Sequence, residues 1–398
     1  MLNNYKKIYL SILASSLLYG KDLIFIWIIL EKTDSILLAG IALTIFYIPS
    51  FLSVIIGPIV DSFKNKKNIL IISNTMHFII ILLIIIILLK SGFIIYIIFL
   101  FLLFLYSFVT NFSNLSFMSL QKHIVNSTDS KKYFKNLHSV YMLSSIFGLL
   151  ITGLLLTLNY NFALIFMASI LIISTVISSL IDIKNINFES KKLDFHGLRS
   201  IRYAFNYLKN NSVLLDLQVL SIINGLGVAM IVPAVAYISY NILNISAFLL
   251  TTFFIAGLIG SFIGTLISSK IHTNVKGRIY KYYLIIAFIF PFAYYNIYLF
   301  YNYLYIIYII FFITGLMESI ISLFHSILNF KYIDKNISAS VYGLKQTLNG
   351  ITQPFSGVTI GFIITFYLLK SAFLFIFIIF FTDFIILLFL KSIKNAEI

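Results

Sequence analysis

Long apolar runs alternate with short polar breaks along most of this chain, and the runs share one size. A helix crossing a bilayer needs roughly 20 apolar residues. Twelve runs reach that length, at about residues 8–30, 36–60, 68–89, 93–113, 137–158, 162–181, 213–237, 246–269, 279–300, 303–328, 341–368 and 371–390. They predict twelve transmembrane helices, spans 1 to 12. No small-residue cleavage site follows the first run, so it is expected to be a retained span and not a signal peptide. The longest polar stretch, 182–211, divides the pattern into six spans and six. The expected organisation is a bundle over 1–182, a linker over 183–211 and a second bundle over 212–398. A shorter polar connection, 120–136, joins spans 4 and 5.

Inside the linker the apolar spacing turns helical between Gly197 and Lys209. Leu198, Ile201, Phe205 and Leu208 fall on one face, with Arg199, Arg202 and Lys209 elsewhere on the wheel. The segment is predicted to lie flat at the cytoplasmic interface.

Composition narrows the class. Hydrophobic residues make up 61% of the chain and charged residues 10%, with mean hydropathy +1.03. Soluble domains carry about 25% charged residues, so only a multi-pass membrane protein fits. A net charge of +15 would point to nucleic acid in a soluble chain. Here its placement matters more. With both termini inside, 23 of the 28 Lys and Arg fall in cytoplasmic segments, as the positive-inside rule requires. A miscounted span would invert every later loop and destroy that asymmetry. The expected setting is the plasma membrane of a bacterium, with both termini cytoplasmic and no nucleic-acid partner.

Conventional catalytic chemistry is missing from the pattern. With no cysteine there is no disulfide or thiolate. The six histidines show neither HxxxH nor HExxH spacing. No metal, cofactor or enzymatic activity is expected.

One break stands out: Gly57-Pro58-Ile59-Val60-Asp61-Ser62-Phe63-Lys64-Asn65-Lys66-Lys67. Gly57 lets two helices approach closely, having no side chain. Asp61 sits where span 2 leaves the membrane, and Lys64, Lys66 and Lys67 hold the turn inside. This stretch resembles the loop between helices 2 and 3 of the major facilitator superfamily. Gly57, Asp61, Lys66 and Lys67 match that pattern, with Ser62 in place of a basic residue. The resemblance implies a twelve-helix fold of two pseudo-symmetric six-helix bundles. It implies transport by alternating access, and a latch role for Asp61 between the cytoplasmic ends of the halves.

Other segments resemble the branch holding macrolide-efflux proteins and enterobactin-type exporters. They include Ser16 to Asp22 with Trp27, Thr33-Asp34-Ser35 where the branch has Thr-Gly-Ser, and Tyr342-Gly343-Leu344 through Pro354, Gly357 and Gly361. The chain departs from many proton-driven exporters in two places. Thr152-Gly153 replaces a glycine pair on span 5, and span 4 has no arginine. Gly148 and Gly153 on span 5 echo Pro354, Gly357 and Gly361 on span 11, as expected of repeat halves and close helix packing. On span 8, Gly257, Gly260 and Gly264 echo Gly57, but Ser268 replaces the acid, so the latch is expected on one side only.

Ionisable residues inside spans are the best pointers to a site, because they face a cavity or a partner. Asp22 is the first candidate for a proton-carrying carboxylate. Lys21 beside it points about 100° away on a continuous helix, so the two are not expected to line the same path. Glu318, midway along span 10, is the second candidate, and is expected to pair with Lys345 when the transporter is empty. Lys345, Asn349, Gln353 and Ser356 form one polar stripe on span 11. Asn224 and Asn111 are weaker candidates. Asp216 is expected to face cytoplasmic water. His77 and Asp383 lie on spans that are peripheral in the implied fold, and Asp383 is expected to be paired internally.

The expected function is proton-coupled export of a small amphipathic compound by a monomer in the bilayer. Uptake, or movement of lysophospholipid or other lipid, is the alternative within transport. A membrane enzyme or a non-transporting sensor is the alternative outside it.

Overall fold

The computed structural model describes residues 2–63, 65–90, 92–125, 130–181, 197–271, 277–390 and 392–395. Lys64 and residues 183–196 of the linker, both part of the sequence reading, lie outside the described residues.

The described chain is all helical: α1 (Leu2–Ser16), α2 (Lys21–Thr33), α3 (Ile36–Tyr47), α4 (Ser53–Ser62), α5 (Lys66–Leu88), α6 (Phe93–Ile124), α7 (Ser130–Leu158), α8 (Tyr160–Ser179), α9 (Gly197–Asn210), α10 (Ser212–Tyr237), α11 (Ala247–Lys270), α12 (Arg278–Leu299), α13 (Leu304–Tyr332) and α14 (Ser338–Phe389). Span 1 is built from α1 and α2. Span 2 is built from α3 and α4, joined by a 3-10 turn over Ile48–Leu52 with Pro49 in its first turn. Among the described residues eleven helices, with α1 and α2 counted as one and α3 and α4 as one, are long and apolar enough to cross a membrane.

The eleventh, α14, holds two spans. Its 52 residues would run about 78 Å as one straight helix, more than twice a hydrocarbon core. Leu368 breaks it, with φ 76° and ψ 156°, a conformation that leucine rarely adopts. A side chain added at Gly225 would meet Gln353, and one added at Gly227 would meet Phe380. Two distant parts of α14 thus meet one turn of α10, which requires the chain to reverse. That gives the twelve helices expected.

Side-chain caps explain why several spans begin where they do. Ser35, Asn65, Asn159, Asn211 and Ser246 each accept a bond from a backbone amide in the first turn of the helix that follows. Asp34 ends α2 in the left-handed region at φ 53°. That geometry favours Gly and tolerates Asp, which accounts for an acid at a position where the resembling proteins carry glycine.

Two seams join the first six spans to the last six. In one, α3 and α4 pack along the first part of α14. A Cβ at Gly40 would lie 2.4 Å from the Gly357 carbonyl, one at Gly57 2.5 Å from Ala339 O, and one at Gly343 2.3 Å from Ser53 O. Only glycine permits those approaches. In the other seam α7 packs on α11, and a Cβ at Gly153 would lie 2.1 Å from Thr251. Gly361 extends the first seam toward Ile36. Gly257, Gly260 and Gly264 instead bring α11 against α13, inside one half.

The end of the bundle bearing the Lys66 turn is called the basic end here. Across it lies α9. Its Ala204 and Leu208 are buried against Leu214, Ile333, Val341 and Leu344, with Val54 of α4 at the edge. Phe205 does not share the packed face: it is 50% exposed, as is neighbouring Tyr203 at 57%. Of Ile201, Phe205 and Leu208 on the apolar face read from the sequence, only Leu208 is buried in this packed face, with Ala204 beside it. The Tyr207 hydroxyl donates to Tyr332 O at 2.6 Å and accepts from the Asp334 amide.

Candidate functional site

A cavity of about 780 Å³ occupies the centre of the molecule, between the two sets of six helices. Asp22, Lys21, Glu318, Asn224, Asn349 and Gln353 all line it. The sequence thus identified six of its polar residues.

Span 1 breaks at this cavity. Between α1 and α2 the chain turns through Leu17 to Gly20. The break rests on α7: a Cβ at Gly148 would lie 2.3 Å from Leu17 O, and the Ser145 hydroxyl donates to Ser16 O at 3.3 Å. Discontinuous helices lining a midplane site are common in transporters. The break also corrects the expectation that Lys21 and Asp22 face different ways. They stand in the first turn of a new helix, and both reach the one wide cavity. One Asp22 carboxylate oxygen is buried without a hydrogen-bond partner.

Glu318 lies fourteen residues from either end of α13, at mid-depth, and is exposed within the cavity. It also lines a side pocket of about 400 Å³ between α7, α11 and α13, with Leu137, Met142 and Leu258. The expected Glu318–Lys345 pair does not form. Lys345 is buried, and its ammonium donates to Asn329 Oδ1 at 2.5 Å. It lies deeper toward the basic end, where a neutral amide one turn of α13 before Ile333 receives it.

The α14 stripe divides by function. Gln218 of α10 donates to Lys345 O at 3.1 Å and to Asn349 Oδ1 at 2.8 Å, and Asn349 donates to Ser221. Ser356 is fully buried and bonds the Gln353 carbonyl. Gln353 and Asn349 face the cavity. Asn111 does not line it; its Oδ1 accepts from Gln346 at 2.6 Å across the halves.

Asp383 departs furthest from expectation. Its helix is not peripheral to the cavity: Asp383 lines it with Tyr283, Phe290 and His325. It is 7% exposed, and one carboxylate oxygen has no partner. Asp216 is corrected too. It is buried, and accepts from the Ser392 amide at 3.2 Å and from its hydroxyl. It fastens the chain after α14 to α10 and does not face water. His77 is a satisfied core residue, bonded to Tyr106 O and Thr110.

Contacts between the halves gather at the basic end. Asp61 accepts from the Ala339 amide at 3.2 Å, the Ser340 amide at 2.8 Å and the Ser340 hydroxyl at 2.6 Å. A carboxylate at a helix N-terminus caps orphan amides and meets the positive end of the dipole. Lys66 caps the opposite element: its ammonium reaches the carbonyls of Val60, Asp61 and Phe63, closing the end of α4. Lys67 is half-buried beside it. Thr347 accepts from the Val54 amide at 2.8 Å, Ser338 bonds Ser119, and Lys122 donates to Phe330 O while lying over its ring. At the opposite end the Tyr240 hydroxyl donates to Asp34 at 3.0 Å, with Trp27 edge-on to its ring. Thr44 and Pro354 O are joined nearer the middle. Gln218, Gln346 and Thr347 were missed in the sequence because neutral polar side chains in a helix give no signal until a partner is known.

Comparison with known proteins agrees with this architecture. A family model described as Major Facilitator Superfamily matches residues 10–293. No curated protein matches the chain. Among solved structures, the human organic anion transporter MFSD10 (TETRAN) is similar with TM-score 0.71 and 12% identity, over 96% of this chain and 97% of that one. A bacterial homologue of the iron transporter ferroportin in its outward-facing state gives TM-score 0.64 and 13% identity, over 96% and 99%. The same homologue with soaked iron gives 0.67 and 13%, over 98% and 99%. At such identities the likeness is one of fold.

Proposed function

The chain belongs to the Major Facilitator Superfamily, a family of transporters and not enzymes, and we propose that it exports a small amphipathic compound in exchange for protons. The halves 1–182 and 212–398 rock about the central cavity, presenting it to one face of the membrane and then the other. The basic end is cytoplasmic, by the placement of Lys and Arg, and the membrane is a bacterial plasma membrane. The described arrangement has its inner gate shut. The observation that carries this reading is the position of Asp61: the acid expected to latch the halves reaches across to the first turn of α14.

The two seams supply the sliding surfaces. Glycine-to-backbone contact leaves few side chains to disengage when α4 and α14 separate. Glu318, Asp22 and Asp383 are the groups that would carry protons, since each is an acid inside a span and lines the cavity. In exchange transport, proton and substrate occupy the same carboxylates in turn. Export should be measured in cells lacking their own exporters, with and without an uncoupler. Uncoupler-sensitive export supports the reading; export unaffected by the uncoupler removes the proton from it.

The side pocket beside Glu318 pairs an apolar wall of Leu137, Met142 and Leu258 with polar His138 and Ser322, and this mixed lining favours a second reading, entry of a lipid or lysophospholipid between α7 and α13. A lipid-scrambling assay in vesicles separates the two.

A further inference from the structure

We infer that the central cavity selects organic cations: amphipathic molecules carrying a protonated amine or a permanent positive charge beside a ring system. The inference rests on the transport reading for its place in a cycle, but the charge preference itself is a property of binding.

The argument begins with the charges on the cavity wall. Asp22 comes from the first half, and Glu318 and Asp383 from the second. Among the described residues the one lysine lining it is Lys21, and the one histidine is His325. Lys345 lies behind the wall, engaged by Asn329. Three acids therefore face one permanent base. Two of the acids, Asp22 and Asp383, keep a buried oxygen without a hydrogen-bond partner. Asp383 is more than nine-tenths buried. Leaving a buried carboxylate oxygen without a partner is costly, and two of them on one cavity favour a positive charge held between them.

The rest of the wall restricts the class further. Tyr19, Tyr47 and Tyr141 line it from the first half, and Phe254, Tyr283 and Phe290 from the second. Aromatic faces attract cations and reject anions. A volume of about 780 Å³ suits a drug-sized ligand. Among the described residues no three His, Cys, Asp or Glu side chains gather closely enough to hold a metal ion; it is the volume and the six rings that point to an organic cation. Its body lies among the rings, and its charge lies between Asp383 on one side and Asp22 or Glu318 on the other.

Two ions of one shape and opposite charge decide the point. Binding of tetraphenylphosphonium and of tetraphenylborate to the purified full chain in detergent is measured by equilibrium dialysis. The phosphonium should bind saturably and more tightly than the borate. Asp383→Asn should weaken phosphonium binding by about tenfold or more, as expected for loss of one charge–charge attraction in a partly desolvated site. Lys21→Gln should tighten the phosphonium and weaken the borate. If Asp383→Asn does not fold, Asp22→Asn and Glu318→Gln make the same test. Borate binding as tight as phosphonium, no saturable binding of either, or acid variants with unchanged affinity would overturn the inference. Counterflow in vesicles tests transport separately: a chain that binds the cation but moves nothing keeps the inference and loses the transport reading.

Discussion

Asp61 and Ser340 join the two halves through a single carboxylate oxygen, which accepts from the Ser340 amide at 2.8 Å and from its hydroxyl at 2.6 Å. The second oxygen holds the Ala339 amide. The acid closes α4 and caps α14 at once, so the latch and the helix cap are the same three hydrogen bonds.

Replacing Asp61 with Ala should therefore open the basic end. A helix cap with its charge contributes ~1–2 kcal/mol, enough to shift a two-state equilibrium about five- to thirtyfold. The chain has no cysteine, so single cysteines placed along α14 report accessibility without background. Val341 is buried at the same end and its side chain takes no part in the latch; labelling at Val341→Cys that is no faster with Asp61→Ala than without it would remove Asp61 from the gate.

Gly57→Ala and Gly260→Ala should differ in kind. Both force a Cβ to within 2.5 Å of a backbone carbonyl or closer, and overpacking costs ~1–3 kcal/mol. Gly57 meets Ala339 across the halves, so its variant relieves the clash by opening the basic end and should keep most of its thermal stability. Gly260 meets Phe312 within one half, with no such escape, and should lose several degrees in Tm. Equal losses in the two variants would contradict the assignment of the seams.

The apolar runs were enough to place twelve crossings, because each run reaches the length a bilayer requires and a polar break separates it from the next. The break in span 1 was not legible. Leu17 to Gly20 interrupts no apolar run, and it is stabilised by Gly148 and Ser145 more than a hundred residues away. For the same reason Lys21 and Asp22 seemed to diverge. Asp383 was discounted because its helix was assumed peripheral; its cavity exposure depends on how α12, α13 and α14 pack. On α9, the burial of Ala204 was not legible, because hydrophobicity alone cannot tell a protein-facing residue from one facing elsewhere.

Glu318→Gln should abolish pH-driven transport with the fold intact, since the carboxyl has no structural partner to lose. Lys345→Met should act differently, leaving Asn329 without its donor, and should not rescue Glu318→Gln. Rescue in the double variant would restore the Glu318–Lys345 pair that the structure lacks. Transport by reconstituted protein under an imposed pH gradient reads both.

Tyr207 ties α9 to the end of α13 through a neutral phenol, and burial raises its pKa above the ordinary tyrosine value while the Asp334 amide opposes the shift. A raised acid pKa favours the protonated form in the fold, so the tie is fully present below about pH 10 and is lost as pH rises through the elevated value. Hydrogen exchange of α9 should be slow and flat across neutral pH after correction for intrinsic rates, and should rise in Tyr207→Phe. Unchanged protection in that variant would show that Ala204 and Leu208 hold α9 alone.

The rocking of the halves is tested most directly by two distances in one protein. Spin labels at Phe63→Cys and Lys335→Cys report the basic end, and labels at Glu31→Cys and Ile242→Cys report the opposite end; all four positions are exposed. The far end is already joined by Asp34 and Tyr240, so Asp61→Ala should lengthen the basic-end distance alone, and Tyr240→Phe should lengthen the far-end distance alone. Both distances lengthening together in either variant, or neither changing in both, would contradict alternating access in this chain.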